Sequence, residues 1–195
     1  RHLVRYLLRE TDWEITVLDR LGEGSDLSSL EQHARVRYTW HDLRAAYMRD
    51  SVGVNYTYVI HLAAGSHVDR SIRDPLGFVA DNVTGTAHLL EFARRCEGLE
   101  KLLHFSTDEV FGAATGKAFD EYDSFYATNP YSASKVCIEQ VIRCYRESFG
   151  MNIAVARAGN VIGGGDWSYK RLIPDIARAA SKGEKVIVHT PNATR

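Results

Sequence analysis

Five residues between positions 107 and 135 have the side chains and the spacing that acid–base chemistry on an alcohol needs. Thr107, Asp108 and Glu109 are consecutive, and Tyr131 and Lys135 are four residues apart. On a helix, residues four apart share a face, so the lysine would lie beside the tyrosine. A nearby cation favours the phenolate and lowers the tyrosine pKa, which makes a general base for an alcohol at neutral pH. The alternative is a polar pair on a surface helix, but the two adjacent carboxylates favour the catalytic interpretation.

The chain around these residues predicts a strand that is followed by a helix. Residues 101–105 form a short apolar run that ends in polar residues, which is typical of a buried strand. Pro130 suits the first turn of a helix, and an amphipathic pattern continues from it to about Phe149. Open α/β sheets bind their ligands at the carboxyl ends of the strands, which is where residues 107–109 would lie.

Strands and helices alternate along the rest of the chain, which predicts an α/β fold with a doubly wound parallel sheet. A capping residue and a proline, Asp74 and Pro75, predict the start of a long helix. Buried within that helix, Asn82 would need hydrogen-bond partners. The predicted strands are residues 15–19, 36–40, 58–64, 101–105, 152–157 and 185–190, and the predicted helices are residues 1–10 and 131–149 with two more that begin at residues 74 and 171.

The composition is that of an ordinary globular protein, with 195 residues, 45% of them hydrophobic, and a net charge of −1. It has no long basic run and no apolar stretch long enough to span a bilayer, so we expect no nucleic-acid partner and no membrane partner. The three cysteines lack Cys-x-x-Cys spacing, which favours buried thiols in a reducing cytoplasm over a zinc site or disulfides. The eight histidines are scattered, and we assign no metal.

Two segments carry a resemblance to a known family. Residues 106–112 read Ser-Thr-Asp-Glu-Val-Phe-Gly, and residues 131–135 read Tyr-Ser-Ala-Ser-Lys. They resemble the extended short-chain dehydrogenase/reductase family and, within it, the nucleotide-sugar 4,6-dehydratases, over nearly the whole chain. The resemblance implies a NAD-binding Rossmann fold, a nucleotide-sugar substrate, a homodimer and conversion of a nucleoside-diphosphate glucose (NDP-glucose) into its 4-keto-6-deoxy sugar.

The subtype of the resemblance is mixed. Residues 66–72 are similar to the dTDP-glucose 4,6-dehydratases, although those enzymes carry Glu where this chain has Gly65. Segments within residues 159–195 resemble the CDP-glucose 4,6-dehydratases, which carry Asp-Lys rather than Asp-Glu after the central strand. The catalytic segment therefore resembles the dTDP-glucose type, and the residues beyond it lead us to expect activity on CDP-glucose.

The resemblance also implies roles for individual residues. Tyr131 takes the proton from the hydroxyl on carbon 4, Glu109 takes the proton from carbon 5, and Asp108 protonates the departing hydroxyl on carbon 6. The implied catalytic residues are Thr107, Asp108, Glu109, Tyr131 and Lys135. The implied cofactor contacts are Asp19, Asp42, Leu43, Leu62, Ala63, Ala64, Ser66, Asn82, Tyr131 and Lys135. The resemblance also implies that Asn82 ties its helix to the neighbouring strand near the nicotinamide. The implied substrate contacts are Ser66, Thr107, Asn160, Arg171 and Leu172.

Asp19 stands where a Rossmann unit places the acidic residue that binds the ribose diol. A carboxylate there repels a 2′-phosphate, so we expect NAD rather than NADP, a preference that the neighbouring Arg20 weakens a little. Asp19 as an ordinary strand-end carboxylate, and Asp42 with Leu43 as a simple turn, are the alternatives.

A Rossmann unit also places a strand and a glycine-rich turn ahead of the first helix, and no Gly-x-x-Gly-x-x-Gly precedes Asp19. We therefore expect residues 1–160 to be a NAD-binding domain without that strand and turn, and residues 161–195 to begin a truncated substrate lobe. Two other functions stay open. A nucleotide-sugar 4-epimerase needs Thr107, Tyr131 and Lys135 but not the carboxylates, and a non-catalytic nucleotide-binding protein needs none of the five.

Overall fold

The computed structural model describes residues 1–22, 25, 27–45, 52–114, 116, 118–166, 168, 171–188 and 191. Two parallel sheets lie in these ranges, one of two strands and one of three, in the orders β1-β2 and β3-β4-β5. In the described residues, α-helices connect β3 to β4 and β4 to β5, as is usual for parallel crossovers, and the predicted parallel α/β fold is confirmed. The strands are β1 (Ile15–Asp19), β2 (Val36–Trp40), β3 (Tyr58–His61), β4 (Lys101–Thr107) and β5 (Ile153–Ala158).

The four predicted helices are also present. The one that begins after Asp74 is continuous but changes its winding: two α-helical segments flank a π-helix, Val79–Thr84. The Asp74 carboxylate caps it by accepting a hydrogen bond from the Gly77 N–H at 3.0 Å. In chain order the α-helices are α1 (His2–Glu10), α2 (Val68–Arg73), α3 (Pro75–Phe78), α4 (Gly85–Arg94), α5 (Pro130–Phe149) and α6 (Leu172–Lys182).

The start of α5 is fixed by its own sequence. The Asn129 side chain accepts a hydrogen bond from the Ser132 N–H at 2.9 Å, and the Ser132 hydroxyl accepts one from the Asn129 N–H at 3.3 Å. Pro130 occupies the first turn, and Gly150, at φ 65°, ends the helix. These caps place Tyr131 in the first turn of α5, next to the end of β4.

One apolar cluster holds the elements that carry the candidate site. It joins α4, β4, α5 and β5, so the end of β4 and the start of α5 keep a fixed relation. The buried residues of this cluster are Leu90, Ala93, Leu102, Ile138, Ile142 and Ile153.

Two strand predictions need correction. The strand predicted over residues 58–64 ends at His61, because the backbone N–H and C=O of Gly65 bond the Asn82 side chain and the chain leaves the sheet. The strand predicted over residues 185–190 is wrong for residues 185–188, which are irregular. A strand needs a neighbouring backbone, and none of the described strands pairs with this segment; residues 189 and 190 lie outside the described part.

The cysteine prediction is correct in part. All three thiols are free, and Cys96 is buried, but Cys137 and Cys144 are exposed. These two lie seven residues apart, two helical turns, on a face of α5 away from the apolar cluster.

Among the described residues, no helix has the length and apolarity needed to cross a membrane. In the same part of the chain, no three His, Cys, Asp or Glu side chains are grouped as a metal site.

Candidate active site

The end of β4 presents a hydroxyl and two carboxylates. Thr107 is the last residue of the strand and is 6% exposed, while Asp108 and Glu109 are partly buried in a short 3₁₀-helix, Asp108–Phe111. The Thr107 hydroxyl donates to Asp108 Oδ1 at 3.2 Å and accepts from the Glu109 N–H at 3.2 Å. The strand end therefore fixes all three residues with respect to one another.

Tyr131 faces this strand end from the first turn of α5. Burial is the largest influence on it and raises its pKa, while a hydrogen bond with Thr107 lowers the pKa. The charges of Glu109 and Asp108 raise the pKa further, and that of Arg171 lowers it. Four of the five residues predicted to be catalytic therefore interact in one site, together with Arg171.

Lys135, the fifth residue, lies one helical turn further along and is only 3% exposed. Its ammonium donates to the Phe105 carbonyl at 2.7 Å. Burial lowers the Lys135 pKa to about 8, partly opposed by the charge of Glu139. The largest influences on the Tyr131 pKa are its burial, which raises it, and the hydrogen bond with Thr107, which lowers it, so the expected effect of Lys135 on that pKa stays a prediction.

Asn82 performs the structural task that was expected of it. Its Oδ1 accepts from the Gly65 N–H at 2.6 Å, and its Nδ2 donates to the Gly65 carbonyl at 3.1 Å and to the Ser134 hydroxyl at 2.9 Å. Both amide protons and the oxygen are thus used inside the protein. Asn82 therefore holds together the segment after β3, the π-helix and the residue that precedes Lys135.

The residues predicted to contact the cofactor follow the ends of three strands. Asp19 is exposed at the end of β1, and its Oδ1 accepts from the Leu21 N–H at 2.8 Å. Asp42, after β2, accepts from Arg44 at 2.5 Å, and that hydrogen bond lowers the Asp42 pKa to about 2. Leu43 packs on a small apolar cluster with Leu89. Beyond β3 lie Leu62, Ala63 and Ala64, all exposed.

These positions fit a dinucleotide. An exposed carboxylate at a strand end suits a ribose diol, and the small, exposed Ala63 and Ala64 permit close approach at the end of the next strand. Tyr131 and Lys135 lie beside β4. Asp19, Ala63, Ala64, Tyr131 and Lys135 are the residues that would hold NAD.

The predicted substrate residues are less closely tied together. Ser66 is partly buried and precedes His67, whose φ of 118° is unusual for a residue other than glycine. The charge of Arg171 acts on His67 as well as on Tyr131. Exposed Asn160 follows Gly159, where a Cβ would lie 3.6 Å from Asp108 Oδ2. Leu172 is 53% exposed, and no described contact links it to the site.

Glu139 was missed by the sequence analysis although it lies one turn beyond Lys135 on the same face. It is 6% exposed and accepts from the Ser106 hydroxyl, and its Oε2 accepts from Nη2 and Nε of Arg157 at 2.8 and 3.0 Å. The i, i+4 spacing of Lys135 and Glu139 was the available signal. Arg157 also donates to the Glu121 carbonyl at 3.0 Å, so this pair connects the loop after β4 to α5 and β5.

A parallel α/β fold with Thr107, Tyr131 and Lys135 beside the strand ends defines a short-chain dehydrogenase/reductase type of site. The chain belongs to the NAD dependent epimerase/dehydratase family, which it matches over residues 1–195. Because that family is NAD dependent, the predicted cofactor is confirmed.

Two curated relatives match different parts of the sequence-based expectation. The CDP-glucose 4,6-dehydratase of Salmonella typhimurium is 36% identical over 153 residues, which is 70% of this chain and 41% of that protein. The dTDP-glucose 4,6-dehydratase of Streptomyces antibioticus is 36% identical over 155 residues, which is 80% of this chain and 46% of that protein. The chain thus spans rather less than half the length of these two relatives.

Solved structures agree with the fold. DesIV, a dTDP-glucose 4,6-dehydratase from Streptomyces venezuelae with NAD bound, has a TM-score of 0.83 and 32% identity, covering 95% of this chain and 59% of that one. The UDP-N-acetylglucosamine 4-epimerase of Methanobrevibacter ruminantium M1 has a TM-score of 0.86 at 24% identity, covering 96% and 60%. The second likeness shows the fold alone.

Proposed function

We propose that the protein carrying this chain dehydrates an NDP-glucose, dTDP-glucose or CDP-glucose, to the NDP-4-keto-6-deoxyglucose. The observation that carries the proposal is the carboxylate pair, Asp108 and Glu109, bound to the same strand end as Thr107 and within electrostatic reach of Tyr131. An alcohol oxidation alone needs Thr107 and Tyr131. Loss of water needs an additional acid and an additional base, and these two carboxylates can supply them.

The first step oxidises carbon 4 of the sugar. Tyr131 removes the proton from the hydroxyl on carbon 4, and Thr107 hydrogen-bonds the same oxygen. NAD, when bound, would supply the hydride acceptor for carbon 4 and the hydride donor for carbon 6. Burial holds the Tyr131 pKa high in this structure, so the groups that favour its phenolate, Thr107 first and then Arg171, assist the step.

The second step removes water. A ketone at carbon 4 acidifies the proton on carbon 5, which Glu109 takes as a base. Asp108, in its protonated form, gives a proton to the hydroxyl on carbon 6, and the C6–O bond breaks to release water. Glu109 then returns its proton to carbon 5. Over both steps, carbon 4 and its hydroxyl together lose two hydrogen atoms. Carbon 6 loses its hydroxyl group and gains one hydrogen atom, so the net change is the loss of one water.

The double variant Asp108→Asn, Glu109→Gln tests this proposal, because it preserves side-chain size and removes the proton chemistry. We expect the full-length variant to oxidise carbon 4 in a single turnover but to lose water at least about a hundredfold more slowly than the parent, the usual contribution of one acid–base group. Quenched single-turnover mixtures, analysed by mass spectrometry, distinguish the 4-keto sugar from the 4-keto-6-deoxy sugar, which is lighter by one oxygen atom.

The chain offers a matched control in a second Asp-Glu pair, Asp120 and Glu121, which is exposed in the loop after β4. The variant Asp120→Asn, Glu121→Gln makes the same chemical change there and should dehydrate the sugar normally. A normal yield of 4-keto-6-deoxy sugar from the Asp108, Glu109 variant would contradict the proposed mechanism. A parent protein that inverts carbon 4 without losing water would be an epimerase, and one that binds nucleotide sugar without converting it would be non-catalytic.

The remaining parts of the proposal concern the setting of the enzyme. We propose a cytoplasmic homodimer, for which the support is the family resemblance and the free thiol of buried Cys96. Sedimentation equilibrium of the full-length protein tests the dimer directly. A monomer at micromolar concentration would overturn that part and leave the chemistry untouched.

A further inference from the structure

Four charged residues form a closed ion-pair cluster at the ends of β1 and β2, namely Arg20, Asp42, Arg44 and Asp81. Arg20 donates from both terminal nitrogens to Asp81, at 2.5 and 2.8 Å, and its Nη1 is also 3.9 Å from Asp42. Arg44 pairs with Asp42 at 2.5 Å and approaches Asp81 at 3.6 Å. Two positive charges and two negative charges therefore balance within the cluster.

The cluster adjoins the place where the adenosine ribose of a dinucleotide would bind. Arg20 directly follows Asp19, the strand-end carboxylate that fits the ribose diol. A nearby arginine is what accommodates the additional 2′-phosphate of NADP in folds of this kind. The chain thus carries, side by side, a residue that favours NAD and a residue that could bind the phosphate of NADP.

The partner of Arg20 decides between these two possibilities. Asp81 lies in the π-helix, and its side chain is 14% exposed against 37% for Arg20, so the carboxylate is the more fixed member of the pair. A bidentate arginine–carboxylate pair is directional as well as attractive. The hydrogen bond to Asp81 is also the largest influence on the Arg20 pKa, which it raises.

We propose that Asp81 is a specificity-determining residue for the cofactor, because it holds the Arg20 guanidinium and so withholds it from a 2′-phosphate. This inference rests on Asp19 as the ribose-binding carboxylate but not on the dehydration of a sugar. It assigns cofactor choice to two residues that act together: Asp19 repels the phosphate, and Asp81 removes the cation that would otherwise attract it.

Binding of the two cofactors to the full-length protein tests the inference without any turnover. Isothermal titration of nucleotide-free protein gives the dissociation constants for NAD and NADP, at low ionic strength because the cluster is partly exposed. The parent should prefer NAD. In Asp81→Asn the ratio of the NADP constant to the NAD constant should fall by about tenfold, the equivalent of one charge-assisted hydrogen bond to phosphate.

Three further variants show whether the released arginine is responsible. Arg20→Gln with Asp81→Asn should restore the parent ratio, and Arg20→Gln alone should leave the parent ratio unchanged. Glu91→Gln is the matched control, because it removes a carboxylate that holds Arg94 at 2.7 Å, about 15 Å further along the same helix. Asp81→Ser repeats the test if Asp81→Asn does not fold.

An unchanged ratio in both Asp81 variants would overturn the proposal. So would an equal fall in Glu91→Gln, which would indicate a general effect of charge, or a fall that persists when Arg20 is also replaced. Loss of dehydration with the predicted binding ratios intact would count against the proposed function alone.

Discussion

Replacing Lys135 by Met should stabilise the fold while it abolishes the chemistry. Lys135 is buried with its ammonium against a backbone carbonyl, and burial lowers its pKa from 10.5 to about 8. Two buried histidines beside it are neutral: burial, and then the charge of Lys135, lowers the pKa of His61 to about 3, and burial and the same charge lower that of His104 to about 2. The lysine charge therefore lies in surroundings that oppose it.

The size of the effect follows from the pKa shift. At pH 7 the lysine is protonated in both states, and a depression from 10.5 to about 8 corresponds to about 3 kcal/mol of destabilisation. Methionine removes that penalty but also removes the hydrogen bond to the Phe105 carbonyl, which offsets about 1–2 kcal/mol. We therefore expect Lys135→Met to raise the free energy of unfolding at pH 7 by about 1–2 kcal/mol.

The pH dependence gives the sharper test. Between the folded and unfolded pKa values the unfolded chain binds more protons at this site, so the penalty fades as the pH rises from about 8 towards 10.5. At pH 9 about 2 kcal/mol of it should remain, so the stability gap between variant and parent should shrink by about 1 kcal/mol from pH 7 to pH 9.

Urea unfolding of the full-length parent and variant at several pH values measures this gap. Both proteins are compared after removal of the cofactor, since NAD bound to the parent would add to its stability. The other titrating groups are common to both proteins and cancel in the difference. Lys182→Met, at the exposed end of α6, is the matched control and should show no such pH dependence. A gap that stays constant from pH 7 to pH 9 would refute the claim that Lys135 is destabilised by burial of its charge.

Three other predictions concern the reaction. Tyr131→Phe should abolish sugar oxidation and leave nucleotide-sugar binding nearly unchanged, because the ring retains its packing; single-turnover oxidation at the parent rate would identify a different base. Arg171→Gln should move the pH profile of kcat/KM to higher pH, since the Arg171 charge lowers the Tyr131 pKa, whereas Arg178→Gln, within α6, should not; identical profiles would refute the role of Arg171. Full-length protein should convert CDP-glucose, as the residues beyond Gly159 indicate, and activity confined to dTDP-glucose would contradict this.

Local sequence signals predicted the elements of the site well. Pro130 and the apolar run of residues 101–105 are local signals, so the start of α5 and the position of β4 could be predicted without a structure, although β4 extends to Thr107. The strand predicted over residues 185–190 had the same kind of local signal. It failed in its described part because a strand also needs a partner backbone, which local preference does not supply.

Electrostatic properties were harder to predict because they depend on burial and on distant partners. The spacing of Tyr131 and Lys135 predicted a lysine cation beside the tyrosine that lowers the tyrosine pKa. In the structure, burial raises the Tyr131 pKa and lowers that of Lys135, and both effects come from packing by several elements. Glu139 and Arg157 are 18 residues apart, and they meet because β5 lies beside β4. No pattern within α5 alone contains that contact.

Two adjacent residues of the π-helix, Asp81 and Asn82, contact the two ends of the proposed dinucleotide site. Asp81 holds Arg20 at the end of β1, while Asn82 holds Gly65 beyond β3 and Ser134 in α5. In a π-helix the wider turn displaces side chains from their α-helical register, and such segments are frequent at functional sites. Here the segment that supports the residues around Lys135 also carries the carboxylate that restrains Arg20. A change in the register of this helix should therefore disturb cofactor choice and the position of Lys135 together, although the two lie at different strand ends.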